Sequence, residues 1–243
     1  MPVSRTEIDR ISSRLCDGTP LPRPRWVPEL SYGRHRGPSR PQSRMAAVAV
    51  TLYHCPKQGW VIPLTLRPLN LQHHGGQVCL PGGHVEAGET MFDAAFREFR
   101  EELGVDAKVK TICGQLSPQF VYASDNLVHP VVALIENPGP WDPDPVEVAQ
   151  VITLPLTQLK TMVFEPAAAH ESADCSSSRQ VPRFFDANFR GRYVVMQRGV
   201  VADKEEVDQL RFRAPALTHQ KHRIWGATAL ILDQLAQVLH GKR

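Results

Sequence analysis

The sequence predicts an α/β domain, and three observations carry that expectation. Apolar runs of strand length alternate along the chain with segments of helical period. Hydrophobic residues make up 42% and charged residues 22% of the 243, enough for one substantial core. The longest apolar stretch, Met45 to Val50, falls far short of the roughly 18 to 20 residues that cross a bilayer, so no membrane span is expected. With 28 Lys and Arg against 25 Asp and Glu, the net charge of +3 does not demand a nucleic-acid partner. The opening residues, Met1-Pro2-Val3-Ser4-Arg5-Thr6-Glu7, lack the apolar block of an export leader, so a cytoplasmic protein is expected. The cysteines, at positions 16, 55, 79, 113 and 175, have no C-x-x-C spacing and read as reduced structural thiols.

Residues 1–44 read as an arm that builds no core of its own. Residues 1–45 carry nine arginines, no lysine and seven prolines. Ile8, Ile11 and Leu15 recur at helical spacing, and Pro20, Pro22, Pro24 and Pro28 stop any continuation. The arm is expected to pack on its own domain or on a sister subunit of a homodimer, with phosphate tracking as the alternative. Its removal is expected to leave the chemistry intact.

The main domain is expected over 45–243. Ala46 to Tyr53 and Trp60 to Leu66 read as two strands of a hairpin. Asn70 to Gly88 is a glycine-rich loop, and Thr90 to Leu103 a helix with Thr90 as N-cap and Gly104 after its end. Strands are expected at Ala107 to Cys113, Val128 to Ile135 and Val146 to Thr153, with a short helix from Pro155 to about Met162. Small and polar residues mark a surface insertion at about 165–215, within which Arg192 to Met196 reads as a strand. Arg223 to Leu239 closes the domain as an amphipathic helix, with Ile224, Thr228, Ile231, Leu235 and Val238 on one face.

The chemistry concentrates between Gly83 and Val105. At about 100° per residue, Phe92, Ala95, Phe96, Phe99 and Leu103 share one arc, and Glu98, Glu101 and Glu102 a neighbouring one. Three anions at i, i+3 and i+4 spacing repel one another and require a positive partner. Arg97 lies at the edge of the patch, where Glu89 can meet it from the loop. A divalent cation suits the set, because carboxylate oxygens are hard ligands for Mg2+ or Mn2+. Gly82, Gly83 and Gly88 let the backbone approach a ligand closely, so Gly82 and Gly83 are candidate substrate contacts and a main-chain carbonyl can join the metal ligands.

The full pattern is G-x5-E-x7-R-E-U-x-E-E-x-G-U, with Gly83, Glu89, Arg97, Glu98, Glu101, Glu102 and Gly104 at its fixed places and Phe99 and Val105 at its bulky ones. With residue frequencies near 5 to 7%, chance would produce it roughly once in 10⁸ windows. At these residues the chain resembles the Nudix hydrolases. The resemblance implies an α/β/α sandwich around a mixed sheet, with the loop, helix and loop of residues 83–105 holding the metal. It implies Glu98, Glu101 and Glu102 as metal ligands together with the Gly83 carbonyl, with Arg97 and Glu89 bracing them. Glu98 or a later acid would help deprotonate water.

Leu64, Thr65, Arg67, Gly76, Pro81, Gly82 and Gly83 resemble the motif of the coenzyme A pyrophosphatase branch, while Pro63, Pro68, Gln72 and Leu80 depart from it. Ser124 to Val132 and Arg223 to Ala229 also look like that branch. The likeness implies cleavage of coenzyme A or an acyl derivative to 3′,5′-ADP and 4′-phosphopantetheine, with NADH, ADP-ribose or another nucleotide as alternatives. A rival of another class is a non-catalytic nucleotide- or RNA-binding module. Glu147 stands where relatives supply a further acid, or is an exposed strand-edge glutamate; Arg67 is a phosphate clamp or one half of a structural salt bridge. His73, His74 and His84 read as polar loop residues.

Overall fold

A computed structural model of the chain describes residues 2–18, 20–22, 42–71, 75–121, 124–161, 165–166 and 215–241. Its frame is a long first strand, β1 (Arg44–Cys55), buried on both faces. The strand period of two divides its side chains: Ala46, Val50 and Leu52 enter one apolar cluster, Ala47, Ala49 and Tyr53 the other. A tight turn joins β1 to β2 (Gly59–Leu66), with Cys55 opposite Gly59, whose φ of +73° suits glycine.

The remaining strands are β3 (Val78–Cys79), β4 (Gly82–His84), β5 (Val109–Gln115), β6 (Gln119–Val121), β7 (Asn126–Ile135) and β8 (Gln150–Pro155). The sheet runs β3-β2-β1-β7-β5, with β4 on β1, β6 on β7 and β8 on β2. It is mixed, since β1 and β7 run parallel while β1 is antiparallel to β2 and β4.

Helices cover both faces. On one, α2 (Met91–Leu103) packs through Ala94, Ala95, Phe99 and Leu103. The other takes α1 (Arg5–Cys16), α3 (Leu156–Thr161) and the last helix, α4 (Gly226–His240). A small sheet of β9 (Glu165–Pro166), β10 (Pro215–His219) and β11 (His222–Trp225) precedes α4. The arrangement is the α/β/α sandwich with a mixed sheet. No helix among the described residues is long and apolar enough to cross a membrane.

Four expectations are corrected. Residues 223–225 form strand β11, with Leu217 opposite Ile224 and Ala216 opposite Trp225, and the final helix starts only at Gly226, whose φ is +66°. That helix is buried almost all round rather than amphipathic, and its Gln234 ties residue 117 to residue 22 through hydrogen bonds to Ser117 and the Pro22 carbonyl. Val146 and Glu147 lie in a turn before β8, which starts at Gln150. β5 is also displaced from the expected span by two residues at each end. The expected strand at Arg192 to Met196 lies outside the described residues, as do residues 167–214 of the insertion and positions 72–74.

The first helix is part of the main core. Ser4 caps it by accepting from the Glu7 N–H, while the Glu7 carboxylate accepts from the Ser4 N–H. Ile8 and Ile11 are fully buried in the same cluster as Leu52 and Ile62. Removal of the arm would therefore open the core. Ile11→Ala should cost about 2–5 kcal/mol and lower the melting temperature by about 5–15 °C in a thermal melt; an unchanged midpoint would show that α1 packs no core.

Candidate active site

The site is built on α2, whose ends are set by local chemistry. Thr90 Oγ1 accepts from the Asp93 N–H at 3.2 Å, and the Asp93 carboxylate accepts from the Thr90 N–H at 3.2 Å. Gly104 ends the helix at φ +66°, and its N–H donates to the Arg100 carbonyl at 2.9 Å. Opposite α2, backbone hydrogen bonds from Ala49 to Pro81 and from Val85 to Met45 clamp the β4 segment onto β1. The glycine strand therefore lies directly beneath the carboxylate-bearing face.

Arg97 is the hub, and all five guanidinium N–H groups are engaged. Nε and Nη2 donate to the two Glu89 oxygens at 2.8 and 3.1 Å, and Nη2 also donates to the His84 carbonyl at 2.9 Å. Nη1 donates to Glu98 at 2.9 Å and to Glu101 at 3.1 Å. These bonds, the Glu89 pair foremost, raise the Arg97 pKa further, while the same pair holds Glu89 below the usual carboxylate range. Glu89 also accepts from the Glu86 N–H at 2.9 Å, which fixes the turn. The expected bracing pair is thus formed, and His84 contributes its carbonyl while its side chain is exposed. A lysine has no planar fork to meet these acceptors. Arg97→Lys should lower turnover by about 10–100-fold, measured as kcat with the fold checked by circular dichroism; full activity would deny the guanidinium its bracing role.

The three clustered glutamates do not share one environment. Glu101 is half exposed, at 52%, and meets Arg97. The Glu98 carboxylate lies against Gly83, where a Cβ would collide with it. Burial raises the Glu98 pKa, the Arg97 hydrogen bond and charge oppose the rise, and Glu101 and Glu147 add to it. Glu102 is buried, its side chain only 4% exposed, with Oε1 3.9 Å from Arg67 Nη1. Its Oε2 has no hydrogen-bond partner among the described residues. Burial pushes the Glu102 carboxyl up to about 8, against the pull of Arg67 and a hydrogen bond from the Gly82 backbone, and with the help of Glu98 and Glu147.

Arg67 stands at the end of β2, held by its N–H to the Gln77 carbonyl and by the Gly76 N–H to its own carbonyl. Its Nε is buried without a partner among the described residues. The ion pair with Glu102 is long, and Arg67 both faces a carboxylate and keeps a donor without a partner among the described residues. Cys79 joins this corner of the site. Its thiol is pushed up to about 11 by burial, Arg67 opposing and Glu102 reinforcing, with Thr228 as hydrogen-bond partner. Sequence reading missed Cys79 and Thr228, because only the β3 and α4 packing brings them together.

Glu147 is exposed and sits in a turn rather than at a strand edge, yet its charge acts on both Glu98 and Glu102. The structure therefore gathers Glu89, Arg97, Glu98, Glu101, Glu102, Glu147, Arg67, Gly82 and Gly83 along one side of α2. Among the described residues no three His, Cys, Asp or Glu side chains form a ready metal cage. Arg97 holds Glu98 and Glu101, and Glu102 faces Arg67. The donor chemistry nonetheless fits a hard divalent ion, since a buried carboxylate oxygen without a hydrogen-bond partner lies beside two further carboxylates and a backbone no side chain obstructs.

A family model described as the NUDIX domain matches residues 43–175. The chain is 28% identical over 181 residues to Nudix hydrolase 3 of Caenorhabditis elegans, covering 73% of this chain and 66% of that protein, just under two thirds of its length. It is 29% identical over 196 residues to the uncharacterized Nudix hydrolase NudL of Photorhabdus laumondii, covering 80% of this chain and 84% of that protein. Among solved structures, the MutT protein of Methanosarcina mazei matches 49% of this chain and 82% of that one, at 21% identity and a TM-score of 0.40.

Proposed function

The chain belongs to the Nudix family, and on that premise we propose that it hydrolyses the diphosphate linkage of a nucleoside diphosphate derivative with the help of Mg2+ or Mn2+. The observation that carries this reading is Glu102: a carboxylate buried at a cost, with Oε2 unpartnered among the described residues, beside Glu98 and opposite Arg67. Glu98, Glu101 and Glu102 would hold the ion, with the Gly83 carbonyl as a further ligand. The bound ion supplies charge neutralisation on the phosphoryl oxygens and lowers the pKa of an attacking water.

The chain's own groups do the positioning. Arg97 fixes Glu98 and Glu101 relative to Glu89 and the His84 carbonyl, so the carboxylates start from one geometry. Glu98 or Glu147 takes the proton from the attacking water. Arg67, whose side chain is partly exposed, would meet a substrate phosphate with its guanidinium, and in doing so offsets substrate charge beside Glu102. The bare backbone of Gly82 and Gly83 lets the diphosphate approach without a side chain in its way.

Within this class the favoured substrate is coenzyme A or an acyl derivative, cleaved to 3′,5′-ADP and 4′-phosphopantetheine. Support comes from Leu64, Thr65, Arg67, Gly76, Pro81, Gly82 and Gly83, the residues that resemble the coenzyme A branch. Gln72, where that branch carries arginine, favours NADH or ADP-ribose as the second reading, because a cation is missing for a highly anionic substrate. Incubation with each compound and Mg2+ or Mn2+, with products identified by mass, ranks them. Release of 3′,5′-ADP from coenzyme A is expected; its absence under every condition removes that substrate. Absence of turnover across the panel leaves the non-catalytic binding module.

A further inference from the structure

We propose that Asp144 is the positioning residue that ties Glu147 to the backbone of the carboxylate-bearing helix. The proposal rests on the reading that these carboxylates do the chemistry, and it concerns a residue that no motif in the chain marks.

The segment 141–149 is a strap fastened at both ends. At its start the Trp141 ring meets Tyr53 and Phe99 edge-on, with centroids 5.9 and 6.1 Å apart. The Asp142 N–H donates to the Leu103 carbonyl at 3.1 Å, and Gly104 has no Cβ to collide with the Asp142 carbonyl. At its far end Val148 is buried, and the Ala149 N–H donates to the Leu66 carbonyl at 2.8 Å, one residue from Arg67.

Between these anchors Asp144 makes hydrogen bonds through its N–H, its carbonyl and one carboxylate oxygen. Its N–H donates to the Glu102 carbonyl at 3.3 Å. Its own carbonyl accepts from the Glu147 and Val148 N–H groups at 3.1 and 2.8 Å. Its Oδ1 accepts from the Val146 N–H at 2.9 Å, closing an Asx turn. Two backbone hydrogen bonds through one residue therefore link Glu102 to Glu147, and the side chain sets the turn that presents Glu147. The flanking Pro143 and Pro145 offer no N–H of their own and stiffen the strap. Without the Asx turn Glu147 would be free to leave the charge field of Glu98 and Glu102.

The test uses the full chain, with Asp144→Ala, Asp144→Asn, Glu147→Gln and the double variant Asp144→Ala/Glu147→Gln. Each is assayed with Mn2+ on coenzyme A and on ADP-ribose, and amide hydrogen exchange at residues 146–148 is measured on the metal-free protein. Asp144→Ala should lower kcat by about tenfold with KM within about twofold, and should speed exchange at 146–148. Asparagine keeps an oxygen acceptor, so Asp144→Asn should stay within about twofold of the parent in both readouts. The double variant should be no slower than Glu147→Gln alone, as for residues acting through one another. Additive losses, unchanged exchange in Asp144→Ala, or full activity in Glu147→Gln would each overturn the proposal. A parent protein inactive on both compounds would count against the proposed function instead, and the exchange result alone would then decide whether Asp144 holds the turn.

Discussion

Glu102→Gln is expected to lower turnover by about a hundred- to a thousandfold while making the metal-free protein more stable at alkaline pH. The two effects share one cause. Burial raises this carboxyl from its ordinary value of 4.5 to about 8, so ionising it in the fold costs free energy that ionising it in the unfolded chain does not. Below about pH 4.5 the group is protonated in both states, and its full contribution to stability is present. Between that point and about pH 8 the unfolded chain gives up the proton while the fold keeps it, so the parent loses stability as pH rises, and the loss levels off above 8. Glutamine has no proton to lose. Its advantage should grow over that window to on the order of 1–4 kcal/mol, several degrees in a melt. Thermal melts in EDTA from pH 5 to 9, run beside the hydrolysis assay, check both halves. A variant that keeps its turnover, or gains no stability as pH rises, would show that Glu102 is ordinary packing.

The neighbouring glycines should fail in opposite ways. At Gly82, with φ +155°, an added Cβ would strike the Ala47 carbonyl and the Val48 backbone, neither of which can move without disturbing β1. Gly82→Ala should therefore destabilise the domain by about 2–5 kcal/mol, through overpacking and backbone strain. At Gly83 the added methyl would meet the carboxylate of Glu98, the free end of a flexible side chain. Gly83→Ala should melt within about 2 °C of the parent and lose about a hundredfold in kcat, because Glu98 is pushed from its place. Melting temperature and kcat on the two variants separate these outcomes. If Gly83→Ala retains its turnover, the carboxylate has no need of that seat.

Much of this site is legible in the sequence because its determinants are local. Thr90, Asp93 and Gly104 define α2 through side-chain and backbone hydrogen bonds within a few residues, so its boundaries could be read directly. The meeting of Arg97 with Glu89 follows from the helix period and a short glycine turn. What could not be read is how the same patch divides between core and solvent. Glu101 and Glu102 are adjacent in sequence, yet one is half exposed and the other buried, a difference of roughly 100° around the helix that only the packing of β2 and β4 turns into a difference of environment.

The misread elements have identifiable causes. Ile224 fits the helical period of Thr228 and Ile231, so 223–225 read as helix; pairing with β10 and the positive φ of Gly226 decide for a strand. Val146 and Val148 alternate as a strand would, but Asp144 captures the Val146 N–H and makes a turn. The Asp-Pro-Asp-Pro text at 142–145 has the composition of such a turn. For α1, the helical spacing of Ile8, Ile11 and Leu15 was legible, whereas the full burial of the two isoleucines in the main core comes from packing that the spacing alone does not state.

The account turns on whether these glutamates hold a divalent ion. Titrating Mn2+ into the parent protein and into Glu102→Gln, with free Mn2+ followed by electron paramagnetic resonance, tests that claim most directly. The parent should remove Mn2+ from solution saturably, and the variant should bind at least about tenfold more weakly. Equal uptake by both proteins, or none by the parent, would contradict it.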